Sequence, residues 1–380
     1  MVFVVTCLTV GGAQVALHQL LTRANRRFEA HVISLQEVDE VGRRIEQLGI
    51  PVEGLGMKPG SPNPLAVIGL ARRLRALNPD VVQTWMYHAD LVGGISARLA
   101  GLRAPVAWCI HHSNLSPSVN KRSTLLVVKA CARLSAWIPR RIVFCSEAAR
   151  QVHVAAGYHR DKAMVIPNGI DTGRFVPDAQ ARTTLRRELL IPDDAKLVGL
   201  VARFDPIKNH EGFVRVAAML AAKLPACHFI LAGAGVDMRN RQLTGWIEQA
   251  GLGSKIHLLG ERQDMPRLIA ALDLLALTSW GEALPTVVAE AMSCGVPCVV
   301  TDVGEAGNMV GDAGRIVAPG DDVAFAQACQ TLLALGIEAR RDLEERARKR
   351  VKTHFELENM ACAYEGLYHG LADESGKSSA

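Results

Sequence analysis

The segment around residue 280 constrains the fold more than any other part of the chain. Leu274 to Leu277 is a short apolar run, which predicts a buried strand. Pro285 then suits the first position of a helix, and Gly295 with Pro297 predicts the end of that helix. Cys298 to Val300 predicts the next buried strand. A strand, a loop, a helix and a strand in this order form the repeating unit of a parallel sheet.

Two carboxylates lie in this segment, and both are expected at one ligand-binding edge. Glu282 is on the loop after the strand, where open α/β sheets bind ligands. Glu290 lies about a turn and a half into the helix, so its long side chain can also face that crevice. The free N–H groups of Leu284 to Val287 favour an anionic or hydroxyl-rich ligand. A plainer explanation, acids placed to suit the helix dipole, accounts for Glu282 but poorly for Glu290.

The alternation of apolar strands and helical segments continues along the chain and predicts two α/β domains. The length of 380 residues and the 49% of hydrophobic residues fit two domains of ordinary size. Val2 to Val5 predicts the first strand, and Gly11-Gly12-Ala13 turns from it into a helix. That turn suits close approach of a phosphate or sugar, although two glycines alone mark only a tight turn. The pattern restarts at Leu197 to Val201, after the polar segment 174–194, which predicts a domain junction there.

Two cations occupy the loop that leaves this first strand of the second domain. Arg203 and Lys208 lie at the carboxyl end of the strand, where a pair of cations can neutralise a diphosphate leaving group without a metal ion. Two solvated loop charges are the alternative. Gly233-Ala234-Gly235 invites a dinucleotide-binding interpretation, but Met238 stands where the third glycine of that fingerprint belongs.

The segment around the two carboxylates resembles the Glu-x7-Glu element of retaining glycosyltransferases of family 4, which have the GT-B fold. Seven residues fall where that family's pattern puts them: Glu282, Pro285, Glu290, Ala291, Met292, Gly295 and Pro297. Ala283-Leu284 replaces the usual Gly-Phe after the first Glu, a mild departure. The opening Gly-Gly-Ala and the spacing of Arg203 and Lys208 also match, so the resemblance spans nearly the whole chain.

The resemblance implies an α/β protein of two doubly wound, Rossmann-like domains that face a cleft. Residues 1–172 are expected to form an acceptor-binding domain, and residues 173–356 a domain that binds the nucleotide sugar. The helix 357–372 is expected to cross back to the first domain, and residues 373–380 to form a flexible tail.

The resemblance also implies roles for individual residues. Arg203 and Lys208 hold the diphosphate, Glu282 contacts hydroxyls of the donor sugar, and Glu290 binds the ribose hydroxyls. His111 ends a first-domain strand and is expected near the reacting groups, with a capping or core histidine as the alternative. His112 and His88 are weaker candidates for that position. The remaining donor-binding residues are expected to be Gly12, Arg262 (mainly through its backbone), Leu284, Pro285, Thr286 and Val287.

These roles predict a retaining glycosyltransferase that needs no metal ion and no cofactor besides its donor substrate. It would move a sugar from a nucleotide diphosphate sugar to a lipid-linked saccharide or a cell-surface polysaccharide intermediate. A sugar-nucleotide 2-epimerase of the same architecture, which forms product from donor alone, is one alternative. A non-catalytic nucleotide-sugar-binding protein is another, whereas the missing glycine disfavours a Rossmann dehydrogenase.

The charge distribution bears on partners and location. Residues 1–175 carry a net charge of +10 and the remainder −5, which makes the first half a candidate for peripheral contact with an anionic membrane. An ordinary solvated face is the alternative, and the 5% of aromatic residues disfavours nucleic acid. Nine cysteines without a CxxC pair favour reduced thiols in a cytoplasmic protein. Together with the basic first half, this predicts a location in the cytoplasm, at the inner face of the cytoplasmic membrane. The basic residues expected to face the anionic membrane are Arg72, Arg73, Arg75, Lys121, Arg122, Lys129 and Arg133.

Overall fold

The computed structural model describes residues 1–24, 27–58, 64–117 and 120–374. The chain divides into two compact units. The first contains Met1–Gly169 and the chain from Leu357 onward, and the second contains Ile170–Glu356. The boundary lies three residues before the one expected from the sequence. Within the described ranges, no helix combines the length and the apolar character needed to cross a bilayer.

The first unit is built on a seven-stranded sheet in which all neighbouring strands run parallel. Its strands are β1 (Val2–Val5), β2 (His31–Ser34), β3 (Val52–Gly54), β4 (Val82–Trp85), β5 (Val106–Ile110), β6 (Arg141–Phe144) and β7 (Ala163–Val165). The intervening helices are α1 (Gly12–Ala24), α2 (Glu40–Glu46), α3 (Pro64–Leu77), α4 (Tyr87–Leu99), α5 (Arg122–Leu134) and α6 (Glu147–Ala155). Helices cover both faces of such a sheet, which is why β1 and β5 are buried along their whole length.

The second unit repeats this design with six parallel strands. Its strands are β8 (Lys196–Val201), β9 (Cys227–Ala232), β10 (Ile256–Leu258), β11 (Leu274–Leu277), β12 (Cys298–Thr301) and β13 (Arg315–Val317). Its helices are α7 (Ala179–Glu188), α8 (His210–Lys223), α9 (Arg241–Gln249), α10 (Met265–Ala270), α11 (Thr286–Ser293), α12 (Ala306–Val310), α13 (Asp322–Leu333) and α14 (Ile337–His354).

The strand order reverses once in each sheet, and this reversal locates the ligand-binding edge. The first sheet has the order β3-β2-β1-β4-β5-β6-β7, and the second has β10-β9-β8-β11-β12-β13. The reversal therefore falls between β1 and β4 in the first unit and between β8 and β11 in the second. Doubly wound sheets bind ligands outside the carboxyl ends of the strands at this point. In the second unit, the loops at that place are 202–209 and 278–285.

The last helix, α15 (Leu357–Glu374), belongs to the first unit although it follows the second in the sequence. It packs on α1 and contributes Met360, Tyr364 and Tyr368 to the core around Phe3. The predicted crossing back is thereby confirmed. The helix extends two residues into the segment predicted as a tail, and residues 375–380 lie outside the described residues.

The polar segment 174–194 is not the junction that its composition predicted, because it contains the ordered helix α7. Arg186 of that helix is fully buried and pairs with Asp273 at 2.6 Å. Asp273 also accepts a hydrogen bond from the N–H of Leu197 at 2.8 Å, at the start of β8. A helix that buries one of its charged residues and an exposed linker can have the same content of polar and charged residues. The composition of segment 174–194 therefore could not distinguish the two.

Candidate functional site

Two loops meet at the carboxyl edge of the second sheet, and hydrogen bonds to backbone carbonyls hold one against the other. The N–H of Trp280 donates to the carbonyl of Ile207 at 2.7 Å. The side-chain amide of Asn209 donates to the carbonyl of Thr278 at 3.1 Å, and the Thr278 hydroxyl donates to the carbonyl of Asn209, also at 3.1 Å. The charged side chains on these loops therefore have a fixed spacing.

Lys208 and Glu282 form a nearly buried ion pair between the two loops. Lys208 Nζ lies 2.6 and 2.8 Å from the two carboxylate oxygens of Glu282, and the Ser279 hydroxyl donates to one of them at 2.7 Å. The exposed fractions of the Lys208 and Glu282 side chains are 19% and 7%. Such a pair offsets its desolvation only with good geometry and further hydrogen bonds, as seen here. The structure thus brings together two of the predicted residues, 74 positions apart in the chain.

Arg203 lies on the same loop as Lys208 but extends into solvent. Its side chain is 61% exposed, and its guanidinium bonds Asp205 at 2.9 and 3.2 Å. Asp205 in turn accepts from the N–H of Ile207 at 3.0 Å, which fixes the turn before Lys208. An exposed guanidinium suits recognition of a phosphate.

The helix α11 begins at Thr286. Pro285 is therefore its N-cap, whereas the sequence had predicted Pro285 as the first residue of the helix. The N–H of Val288 donates to the Pro285 carbonyl at 2.9 Å. In the described ranges, the N–H groups of Leu284, Thr286 and Val287 donate to no protein acceptor. Free N–H groups at a helix N-terminus form a favourable position for an anion.

Glu290 lies on α11 and is the second carboxylate of this edge. It is half-buried, and among the residues that the structure describes its carboxylate has no hydrogen-bond or ion-pair partner. Burial raises the pKa of Glu290 to about 7, although the charge of Arg174 acts in the opposite direction. A partly buried carboxylate without a partner is costly, and it marks a place where a ligand can supply hydrogen-bond donors.

Two glycines allow neighbouring backbone to approach these loops closely. A Cβ on Gly233, which has φ +147°, would lie 2.2 Å from the carbonyl oxygen of Ala202. A Cβ on Gly304, at φ +56°, would lie 1.5 Å from the carbonyl oxygen of Glu282. The Gly233-Ala234-Gly235 sequence therefore serves packing at the loop after β8. Sequence reasoning missed Gly304 and Ser279, since neither has a local pattern that points to Glu282.

The backbone just before Arg262 is bonded to the Gly233 turn, whereas the Arg262 guanidinium pairs with acidic residues outside the two loops. The guanidinium bonds Asp264 at 2.8 Å and Glu188 at 2.9 Å, in a cluster that also contains Arg267. Gly260, two residues before, accepts a hydrogen bond from the N–H of Gly233 at 2.7 Å. The expectation that Arg262 contributes mainly its backbone stays a prediction.

Gly12 and His111 lie in the first unit, whereas the other predicted site residues lie in the second. Gly12 begins α1, and a Cβ there would meet no described atom within 4 Å. His111 follows β5, its ring stacks on Trp85 with centroids 4.7 Å apart, and its Nε2 is 3.1 Å from Cys109 Sγ. Burial lowers the pKa of His111 to about 3, although the Asn168 side chain acts in the opposite direction.

Comparison with known proteins identifies the family. The model of glycosyl transferases group 1 matches residues 181–350, and the model of Glycosyltransferase Family 4 matches residues 10–174. The chain belongs to the family 4 glycosyltransferases. The predicted family is thus confirmed. Each model matches one of the two parts of the chain that carry a parallel sheet.

The similarity to individual relatives extends over part of the length of each relative. The UDP-Gal:alpha-D-GlcNAc-diphosphoundecaprenol alpha-1,3-galactosyltransferase of Escherichia coli is 27% identical over 241 residues, which are 63% of this chain and 62% of that protein. A D-inositol 3-phosphate glycosyltransferase of Mycobacterium bovis is 30% identical over 297 residues, 72% of this chain and 61% of that protein. The chain thus spans about three fifths of the length of these two relatives.

A solved structure confirms the fold. The Anabaena protein HepE, crystallised in complex with UDP and glucose, has a TM-score of 0.84 at 24% identity. The similarity covers 97% of this chain and 99% of HepE. The predicted GT-B class, with two doubly wound parallel sheets, is therefore confirmed.

Proposed function

We propose that this protein transfers a sugar from a nucleotide diphosphate sugar to an acceptor, and that the donor binds at the carboxyl edge of the second sheet. The observation that carries the proposal joins three features of this edge: Glu290, the N–H groups at the start of α11 and the Lys208–Glu282 pair. Among the described residues, neither the Glu290 carboxylate nor those N–H groups have a hydrogen-bond partner. Together they offer acceptors for hydroxyls and donors for phosphate in one place. The E. coli relative uses a UDP-sugar and HepE binds UDP, which supports a nucleotide-sugar donor.

In the proposed reaction, the bond between the anomeric carbon and the diphosphate oxygen breaks, and the acceptor oxygen bonds to the same face. The proton of the acceptor hydroxyl passes to a diphosphate oxygen. Lys208 and Arg203 stabilise the charge that develops on the diphosphate, so no metal ion is required. Glu290 accepts from the ribose hydroxyls, and Glu282 orients Lys208 and contacts the donor sugar.

His111 is proposed to lie close to the acceptor in the first unit. Its low pKa keeps the imidazole neutral at physiological pH, and Cys109 lies at hydrogen-bond distance from Nε2. Its proposed role is therefore to position a hydroxyl and not to carry a proton.

The acceptor is proposed to be a lipid-linked saccharide, with the enzyme bound peripherally at the inner face of the cytoplasmic membrane. The name of the E. coli relative includes a diphosphoundecaprenol acceptor, which supports this class. Of the basic residues predicted to meet the membrane, Arg73 pairs with Glu53, and Arg75 donates to the carbonyl of Ala100 at 2.8 Å. Lys121, Arg122 and Lys129 on or beside α5 remain exposed.

The direct test is a panel of nucleotide sugars, screened first for thermal stabilisation and then for transfer to a lipid-linked acceptor. We expect one donor class to stabilise the protein and to react only when acceptor is present. The product should keep the anomeric configuration, read by NMR, and activity should survive EDTA. Formation of product from the donor alone would favour a sugar-nucleotide 2-epimerase. Binding of the donor without turnover would favour a non-catalytic nucleotide-sugar-binding protein. A loss in EDTA that magnesium restores would contradict metal independence.

Membrane contact is tested separately by co-sedimentation with vesicles. Each cation near an anionic surface contributes about 1 kcal/mol within a Debye length, so binding should need anionic lipid and weaken with salt. Equal binding to neutral and anionic vesicles, or none at low salt, would contradict the proposal.

A further inference from the structure

An open cavity of about 440 Å³ lies at the amino-terminal edge of the first sheet. Its lining includes Val106 at the start of β5, Arg140 just before β6 and Lys162 just before β7. His111 follows the opposite, carboxyl end of β5. The cavity is therefore distinct from the edge at which the reaction is proposed.

Cations dominate the charged part of the lining of this cavity. Four basic side chains line it, together with one carboxylate, Glu374. The basic residues are Arg98, Arg103, Arg140 and Lys162. Trp137, which also lines the cavity, is 71% exposed. An excess of fixed positive charge beside an exposed indole is a combination that favours an anionic ligand.

Helix capping explains two of these cations. Lys162 Nζ donates to the carbonyls of Ser135 and Ala136, and Arg98 donates to those of Trp137 and Ile138 at 2.9 and 2.8 Å. These carbonyls follow directly on the end of α5, where cations suit the helix dipole. The bonds hold both cations in place, but neutral carbonyls leave their formal charge uncancelled.

Capping does not explain the other cations. Arg103 is exposed, and within the described part of the chain it has no hydrogen-bond or ion-pair partner. Arg140 and Arg141 both turn to the single carboxylate of Glu374. The pKa of Lys162 is lowered by burial and further by the charges of Arg140, Arg98 and Arg141. This repulsion would be relieved by an added anion.

We propose that this cavity binds a phosphate group, held by Arg98, Arg103, Arg140 and Lys162, and that Glu374 occupies the anion position when the ligand is absent. Guanidinium groups bind phosphate oxygens in pairs, and an ammonium adds a point charge. The phosphate can belong to a soluble ion or to a lipid headgroup. The exposed Trp137 suits the second source, because indoles favour the headgroup level of a bilayer. The site does not depend on the proposed transfer activity.

The test titrates inorganic pyrophosphate into a Trp280→Phe variant of the full chain, at constant ionic strength, and follows the fluorescence of Trp137. Trp137→Phe in the same background assigns the signal. We expect a saturable change that is lost in the Arg103→Gln/Arg140→Gln double variant. It should persist in Arg203→Ala, which alters the proposed donor site. A change that the double variant retains would overturn the proposal, because the anion would then bind elsewhere.

For the Glu374→Gln variant we expect the opposite effect on pyrophosphate affinity. Removing the resident carboxylate should tighten pyrophosphate binding about two- to fivefold, the size expected for an exposed ion pair. Glu365→Gln is the matched control, since Glu365 lies on the same helix and pairs with Arg27. Unchanged or weaker binding in Glu374→Gln would mean that Glu374 only anchors the end of α15 and would overturn the competitive role.

A second arm identifies the source of the phosphate. Vesicles of phosphatidylglycerol and phosphatidylcholine are compared with pyrophosphate on the same variants. Saturable pyrophosphate binding that needs Arg103 and Arg140 supports a site for a soluble phosphate. Binding only to phosphatidylglycerol vesicles, with the same dependence, supports a lipid headgroup. Independence from Arg103 and Arg140 in both arms overturns the site.

Discussion

The carboxyl edges of the two sheets share a topology and differ in chemistry. Both sheets reverse their strand order beside their first strand and open a crevice there. In the second unit, that edge carries the Lys208–Glu282 pair, Arg203 and the free N–H groups of α11. In the first unit, Trp85 stacks on His111, and Cys109 lies 3.1 Å from both His111 Nε2 and the Tyr364 hydroxyl.

This difference teaches that the backbone provides the crevice and the side chains decide what it binds. Fixed charges and N–H donors suit a diphosphate. A neutral histidine among aromatic rings suits an uncharged hydroxyl. The predictions that follow alter one edge while the other serves as reference.

The largest effect is expected for Lys208→Ala. It leaves the Glu282 carboxylate, 7% exposed, without its cation, and the free energy of unfolding should fall by about 3–5 kcal/mol. Chemical denaturation measures this, and Lys208→Met/Glu282→Gln should recover much of the loss. Lys223→Ala, which removes an exposed lysine of the same unit, should change stability by less than about 0.5 kcal/mol. Equal stabilities of the two alanine variants would show that the ion pair is not structural.

Arg203→Ala should affect turnover and spare stability. Loss of one preorganised donor to the leaving group should lower kcat about 10²- to 10³-fold, which is about 3–4 kcal/mol. Arg239→Ala is a close control, because Arg239 is exposed in the same unit and pairs with Asp237 two residues before it, as Arg203 pairs with Asp205 two residues after. Similar kcat values for both variants would remove Arg203 from the site.

Glu290 should give the second unit a pH dependence. Between pH 4.5 and 7 the unfolded chain has released this proton and the folded protein still holds it, so stability falls as pH rises through that window. Glu290→Gln should therefore be more stable than the parent by about 1–3 kcal/mol at pH 8, and by little at pH 4. Glu211→Gln, on the exposed start of α8, should show no such trend.

The same carboxylate should couple pH to donor binding. A ribose hydroxyl donates to the ionised form, so the affinity for the nucleotide should weaken as pH falls through about 7. Calorimetric titration at several pH values reads this, and Glu290→Gln should bind weakly at every pH. An affinity that strengthens toward low pH would contradict the assignment.

The smallest effect is expected in the first unit. Tyr364→Phe removes the hydrogen bond with Cys109 and should cost about 0.5–1.5 kcal/mol of stability. Tyr368→Phe is the control: the buried Tyr368 hydroxyl has no hydrogen-bond partner in the described residues, so its removal should be neutral or stabilising. Nucleotide affinity should stay unchanged in both. A change in that affinity would show that the two edges are not chemically independent.

Much of the site was predictable from the sequence, because most of its charged residues directly follow apolar segments that form strands. Glu282, Arg203 and Lys208 each follow the end of an apolar run, and Glu290 is a charge within an apolar helix. The partners of these residues were not predictable. Ser279 and Gly304 act on Glu282 through loop geometry, and Asn209 caps α8 from a left-handed conformation with φ 52°.

The sequence by itself determined the alternation of buried strands and helices, the two domains and the family, because apolar spacing and helix stop signals act over a few residues. Only the tertiary structure decided that Lys208 pairs with Glu282, that Arg186 is buried against Asp273, and that Glu290 has no partner in the described residues. The physical reason is that an ion pair depends on distance and desolvation in space. Residues 74 and 87 positions apart acquire both only when the strands are placed side by side.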